Sequence, residues 1–427
     1  MNILHISEAD GGGAGIAAYR VHRNLKSHGF NSKLLVLKKS TGDDDVVQVT
    51  NNFIRKPKKI SKITNRILKL LRLRKPIVSD KKYCFNGFER KTYLDEVIAA
   101  LPFQPDAIIL YWVTYYLNSI DIYNLYKKTK APIFWYLMDM APMAGGCHYA
   151  WDCNGYKNNC GQCPAIYSSN KNDITYHNLD KKKKFFPNLN LNIIAASETL
   201  YRQVMSSTVF KNLPLSKVLL SVDDKVFKPR NKDSSRGILN LPLNSKILFI
   251  GSDSLDNERK GMKFLIEALH ILKTIKDLPN MDNILLLIAG KVSIEILEKL
   301  PFSYTFVGML KTDEELANCY CAADFFICPS VEDSGPMMIN EAIMCGTPIV
   351  SFEIGVALDL VTTGQTGYLA KKRDVLDFAH GIEYLLKLKE EKYLQMSNNC
   401  RELGLSLCHP HEQTEKLLEI INNNLID

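Results

Sequence analysis

Ala323-Asp324-Phe325-Phe326-Ile327-Cys328-Pro329-Ser330, followed by Asp333-Ser334-Gly335-Pro336-Met337-Met338-Ile339-Asn340-Glu341-Ala342-Ile343, decides how this chain folds. The first eight residues read as a buried strand ended by proline. An acid, a Gly-Pro turn and a short helical run carrying a second acid, Glu341, come next. The run stops at Cys345-Gly346-Thr347-Pro348, and Ile349-Val350-Ser351-Phe352 supplies another apolar strand. Buried strands joined by a helix belong to a parallel sheet. Asp333 then sits at a strand's carboxyl end, where doubly wound sheets bind ligands. The helix behind it offers free N–H groups to a phosphate, and the second acid can reach a polyol such as a ribose.

The same alternation recurs on both sides of this stretch. Apolar runs at 3–6, 34–37, 107–111, 133–137, 193–196 and 218–220 form one block. Runs at 247–250, 284–288, 305–307, 325–328 and 349–352 form a second. Helix-compatible segments, such as 15–28, 262–273 and 313–319, separate them. Two tandem Rossmann-like sheets follow, which suits a chain of 427 residues, too long for one core. A hydrophobic content of 46% with 23% charged residues is ordinary for a soluble globular protein. No apolar run approaches the length that spans a bilayer, and Met1–Ile6 reads as a first strand rather than a leader. The expected compartment is the cytoplasm. The domain boundary falls near Asp223–Pro229, giving domains 1–228 and 229–408.

Three further clusters carry chemistry. Gly11-Gly12-Gly13-Ala14-Gly15 follows the first strand and opens a helix, where glycine lets a ligand approach the backbone and the helix end favours negative charge. Ile16 stands where G-x-G-x-x-G needs its third glycine, which argues against a dinucleotide cofactor. A plain tight turn fits these residues equally well. Glu258-Arg259-Lys260-Gly261, after the strand 246–251, combines a guanidinium and an ammonium able to clamp a phosphate. A solvated charged loop is the alternative, and the position after a strand favours the clamp. Cys147, Cys153, Cys160 and Cys163 give C-x5-C-x6-C-x2-C. Four thiolates satisfy a closed tetrahedral zinc site, favoured over disulfides in a reducing compartment. Free thiols or a redox pair remain open, and His148 could compete as a ligand.

Between Arg55 and Lys75 there are ten Lys/Arg and no acid, with Ile60, Ile63, Ile67, Leu68 and Leu71 at helical spacing. A basic amphipathic helix of this kind lies on an anionic membrane surface. A solvated helix is the bland alternative. Nucleic acid is not expected, because no aromatic interleaving accompanies the charge.

The segment from Asp333 resembles the donor-site signature of the retaining glycosyltransferases of family 4, E-G-F-G-L-x-x-x-E-A. The family's second Glu corresponds to Glu341 and its first to Asp333, with Glu332 beside it. Lys260-Gly261 matches the family's Lys-Gly. Ser252 replaces its upstream Arg, so Arg259 is the substitute. Met138-Asp139-Met140, Pro142 and Gly145-Gly146-Cys147-His148-Tyr149 resemble H-D-M-W-P-x-x-G-G-C-H-Y of a branch found in exopolysaccharide, capsule and O-antigen gene sets. Met138 replaces that branch's first His.

The resemblance implies a GT-B fold, two Rossmann-like domains facing a cleft, with residues 409–427 crossing back to complete the first. It implies transfer from a nucleotide sugar to a glycan acceptor, with Lys260 and Arg259 on the leaving diphosphate and Glu341 on the ribose. Asp333 and the backbone of Gly335, Pro336, Met337 and Met338 would face the donor sugar. Gly12 and Gly13 would face the donor from the first domain. Asp139 and His148 would orient the acceptor. No cofactor is implied for catalysis. The acceptor would be polyprenyl-diphosphate-linked, at the inner face of the plasma membrane. A nucleotide-sugar epimerase of the same fold, or a non-catalytic membrane-bound scaffold, is the alternative.

Overall fold

The computed structural model describes residues 1–49, 78–86, 93–275 and 283–425. The basic segment Arg55–Lys75 lies outside the described residues. Thirteen strands are present among the described residues: β1 (Asn2–Ile6), β2 (Asn31–Val36), β3 (Val46–Gln48), β4 (Ala107–Leu110), β5 (Ile133–Leu137), β6 (Leu191–Ala195), β7 (Leu215–Lys217), β8 (Lys246–Ser254), β9 (Ile284–Lys291), β10 (Ser303–Gly308), β11 (Phe325–Cys328), β12 (Ile349–Phe352) and β13 (Gly367–Ala370). They form one sheet in the order β3-β2-β1-β4-β5-β6-β7 and another in the order β10-β9-β8-β11-β12-β13. In both sheets neighbouring strands pair in parallel, for example Ile3 opposite Ala107 and Ile327 opposite Val350. In each sheet the strand order reverses beside the first strand of its block, between β1 and β4 and between β8 and β11. Those are the topological switch points where open α/β sheets bind ligands.

Local sequence explains the punctuation. Gly29 takes φ +85° and ends the first helix, Gly12–Ser27. Asn118 and Asp121 close a capping box at the start of Ser119–Thr129, and Thr312 with Glu315 does the same for Asp313–Ala322. Buried strands 133–137 and 325–328 are apolar at every position because both faces are covered.

Two compact units result: residues Met1–Ile193, Val204–Pro214 and Asn424–Asp427 make the first, and Ile194–Gln203 with Leu215–Asn423 the second. The division therefore falls earlier than the expected 228/229. Packing explains the difference. Val222 and Phe227 are fully buried in a cluster with Phe249, Tyr320 and Phe326, and Asn340 Nδ2 donates to the carbonyl of Leu220 (2.9 Å). The expected strand over 218–220 is displaced to 215–217, and the terminal helix is Pro410–Asn422. That helix is grouped with the second unit, where Gln413 Oε1 accepts from the backbone N–H of Leu219 (3.1 Å).

Candidate active site

In the second unit the loop after β8 meets the loop after β11. Glu258–Lys260 forms one 3-10 turn, capped by Asn257, and Gly261 follows at φ +73°. A Cβ on Gly261 would lie 1.8 Å from the carbonyl oxygen of Pro329, so glycine is obligatory for the two loops to touch. The contact is sealed by Val331 N–H donating to the carbonyl of Arg259 (2.9 Å).

This stitching delivers both cations to one carboxylate. Arg259 Nη1 lies 2.6 Å and Lys260 Nζ 2.8 Å from the same oxygen, Oδ2 of Asp333. The other oxygen accepts from the backbone N–H of Ser334 (2.9 Å) and, more weakly, Gly335 (3.4 Å). Burial pushes the Asp333 pKa up, but Lys260 and then Arg259 outweigh it and hold the carboxyl at about 2. The group is therefore ionised at neutral pH. Two cations and one anion leave a net positive charge at the carboxyl end of β8 and β11, suited to a diphosphate.

Glu332, adjacent in sequence, has a different part. Its Oε2 accepts from Lys372 Nζ (2.9 Å), tying the loop to the segment after β13. Pro336 caps the helix Met337–Met344 and the N–H groups of its first turn follow. Met338 packs its methyl over Gly251. Glu341 is buried within this helix and accepts from Tyr320 Oη (3.2 Å).

In the first unit Asp139 and His148 come together. His148 Nδ1 and Asp139 Oδ2 are 2.5 Å apart, and Asp139 Oδ1 accepts from the N–H of Ala141 (2.8 Å). The short contact assigns the Nδ1 proton to the Asp139 bond, so in the neutral ring Nε2 carries the lone pair. Trp112 Nε1 lies 3.2 Å from Nδ1. Among the described residues Nε2 has no protein partner. The pair lines a cavity of about 320 Å³ at the carboxyl ends of β4 and β5, walled by Tyr93, Tyr111, Trp112, Tyr115 and Trp135. Asn86, Asn118 and Asn178 stand among these rings, so the cavity offers flat apolar faces and hydrogen-bonding groups together.

Lys182 holds the floor of this cavity, donating to the carbonyls of Ala141 (2.6 Å) and Ala144 (2.7 Å). Neither Lys182 nor Trp112 was expected. Lys182 is hidden in the run Lys181–Lys184, which reads as a solvated face. Trp112 belongs to Tyr111-Trp112-Val113-Thr114-Tyr115-Tyr116, an aromatic run after a strand that was signal enough to find it.

Gly12 (φ +69°) and Gly13 open the first helix with space around both, whereas Gly15 is the glycine that sterics demand, since a Cβ there would meet the Ala9 carbonyl at 2.6 Å. The four cysteines converge around a separate small void, and His148 is not among its lining residues.

Residues 244–388 match the family model described as Glycosyl transferases group 1. This region is similar to the group 1 glycosyltransferases. It contains Arg259, Lys260, Asp333 and Glu341. The D-inositol 3-phosphate glycosyltransferase of Mycolicibacterium smegmatis is 30% identical over 178 residues, 39% of this chain and 38% of that one. The Corynebacterium diphtheriae protein of the same name is 29% identical over 168 residues, 37% and 38% of the two chains. The match thus spans well under half the length of these relatives.

Similarity of fold extends over nearly the whole chain. Sucrose-phosphate synthase from Thermosynechococcus elongatus superposes with a TM-score of 0.68 at 17% identity, covering 99% of both chains. Anabaena HepE in complex with UDP-glucose gives 0.65 at 14%, covering 99% of this chain and 100% of HepE. WaaG, a glycosyltransferase involved in lipopolysaccharide biosynthesis, gives 0.60 at 14%, covering 98% and 99%. The fold class is GT-B, as the resemblance implied.

Proposed function

We propose that this protein is a retaining glycosyltransferase that moves a sugar from a nucleotide-sugar donor to a glycan acceptor in surface-polysaccharide assembly. The observation that carries the reading is the Arg259–Lys260–Asp333 cluster at the β8/β11 switch point, inside the group 1 region. Lys260 and Arg259 exchange the Asp333 carboxylate for the donor's diphosphate and stabilise the charge that develops as it leaves. The bond from the sugar's anomeric carbon to the diphosphate breaks while the acceptor oxygen attacks from the same face. The departing diphosphate keeps the electron pair and receives the acceptor's proton. Glu341, its Oε2 steadied by Tyr320, holds the ribose, and Asp333 with the backbone from Gly335 to Met338 addresses the donor sugar.

The aromatic cavity of the first unit takes the acceptor, with Nε2 of His148 receiving a hydrogen bond from its hydroxyl and Asp139 fixing the ring. The acceptor is lipid-linked and the protein works at the inner face of the plasma membrane. The basic segment Arg55–Lys75 is the support for that part of the reading.

A panel of nucleotide sugars, each incubated with the protein and with membrane extract, tests the whole. Acceptor-dependent release of the nucleoside diphosphate with retained anomeric configuration is the expected result. Interconversion of nucleotide sugars without acceptor would reassign the protein as an epimerase. Failure to bind or turn over any donor would leave the scaffold reading.

A further inference from the structure

We propose that the first unit holds one structural zinc ion bound by Cys147, Cys153, Cys160 and Cys163. All four side chains, spread over residues 147–163, line one void of about 20 Å³ together with Gly145, Gly146, Gly155, Gly161 and Thr175. About one water-sized or ion-sized body fills such a volume. No acid or imidazole lines it, and a set of four thiols selects zinc over harder divalent ions.

The backbone around the void is shaped as a knuckle. Cys160, Gly161 and Gln162 take φ of +52°, +81° and +46° in succession, a conformation that non-glycine residues enter at a cost. It is held by Cys160 N–H on the carbonyl of Gly155 (2.9 Å) and Gln162 N–H on that of Asn170 (2.7 Å). A Cβ on Gly161 would lie 2.0 Å from the Lys171 carbonyl, so the turn admits only glycine. One backbone N–H already points at a sulfur, that of Gly155 at Cys153 Sγ (3.4 Å), and a donor of this kind supports a metal-bound thiolate.

The outer shell is equally specific. Asp173 accepts from the N–H of Cys163 (3.1 Å) and from Thr175 Oγ1 (2.6 Å), and Thr175 Oγ1 in turn receives Gly161 N–H (2.9 Å). Tyr83, Trp151 and Ile166 pack an apolar wall beside three of the cysteines. His148 stays outside the set, because its Nδ1 is committed to Asp139.

No three of the four sulfurs lie within 4.8 Å of one another. A tetrahedral ion with Zn–S bonds of about 2.3 Å holds its sulfurs about 3.8 Å apart, so binding draws them inward over the void and releases the thiol protons. Gly145 and Gly146 line both this void and the Asp139–His148 cavity, so the metal site forms the back wall of the cavity.

The test uses the full chain, purified under reducing conditions with a tag that does not bind metal. Elemental analysis is expected to give about one zinc per chain. Exchange with cobalt(II) should give sulfur-to-cobalt charge transfer and the intense visible bands of a tetrahedral thiolate site. Native thiol labelling should spare the four cysteines until a chelator is added. Cys160→Ser with Cys163→Ser should abolish the metal. Should that variant not fold, the cobalt spectrum of the unaltered chain decides alone. A protein that is metal-free and takes up neither zinc nor cobalt overturns the proposal. So does a cobalt spectrum with weak six-coordinate bands, or recovery of these cysteines as disulfides from a reducing preparation.

Discussion

At the β8/β11 switch point Asp333 draws Arg259 and Lys260 onto a single oxygen. Beside β4 and β5, in contrast, His148 gives one nitrogen to Asp139 and leaves the other facing a cavity among aromatic rings. The two sheets share one strand order up to their sixth strands, yet they store polarity in different ways. The second unit pairs its two cations with one internal carboxylate and keeps one positive charge in excess. The first presents a preformed polar atom in a chamber walled by aromatic rings and polar side chains. An anion as strongly hydrated as a diphosphate needs the first device, because unpaired buried cations are too costly to keep. A neutral sugar hydroxyl needs only the second.

Breaking the charged side should have the largest effect. Lys260→Ala is expected to lower turnover by about a hundred- to a thousandfold, the scale of one oriented charge acting on a transition state. The fold should survive, as Arg259 still pairs with Asp333. Steady-state assays with an active donor from the panel check this; near-unaltered turnover would detach Lys260 from the leaving group.

The contrast predicts that damage to the first unit is separable. His148→Gln should reduce transfer by about a hundredfold, the penalty for a misplaced reactant, while affinity for the nucleoside diphosphate stays as it was. Calorimetry beside acceptor titration reads both quantities. Equal loss of donor binding would contradict the division of labour.

Acid should distinguish the units as well. His22 is buried, with Nδ1 2.7 Å from Ser32 Oγ, and burial lowers its pKa from 6.5 to about 4 despite Asp43 nearby. His5, its ring centroid 5.6 Å away, is also lowered well below its ordinary value, first by burial and then by His22. The unfolded chain therefore binds protons that the folded first unit refuses, and stability falls as pH drops from about 6.5 towards 4. By pH 4.5 His22 alone should cost about 2–3 kcal/mol. Asp333 titrates lower: its contribution is present above its ordinary value of 3.8 and is lost as pH falls towards about 2. Hydrogen exchange at pH 7 and 4.5 should show β1 and β2 loosening before β8 and β11. The reverse order, or no change, would refute the assignment.

The smallest effect is expected at Glu341. Glu341→Gln keeps the hydrogen bond to Tyr320 within reach but removes the charge, and should weaken nucleoside diphosphate binding by about tenfold, just under the low end of the about 1.5–3 kcal/mol of a charged hydrogen bond. Unchanged affinity in calorimetry would make Glu341 a core residue only.

Sequence periodicity was enough for the two parallel sheets, because strands buried on both faces are apolar throughout and their helices carry caps that can be read locally. Strand β11, the helix Met262–Lys273 and the acid at Asp333 follow from neighbours a few residues away. Short strands such as β3 and β13 escaped, since three or four residues give no period. The Arg259–Lys260 pair was legible as a cationic loop, but the single Asp333 oxygen that both cations share depends on Gly261 passing under Pro329, a contact across some seventy residues. The aromatic cavity, the part taken by Lys182 and the void among the cysteines likewise arise where loops from several strands converge. Local residue order therefore determined the elements and the kinds of charge at their ends. Which charges meet, which stay open and where the chain divides into units were decided only by tertiary packing, because those outcomes depend on desolvation and on distances between residues far apart in the chain.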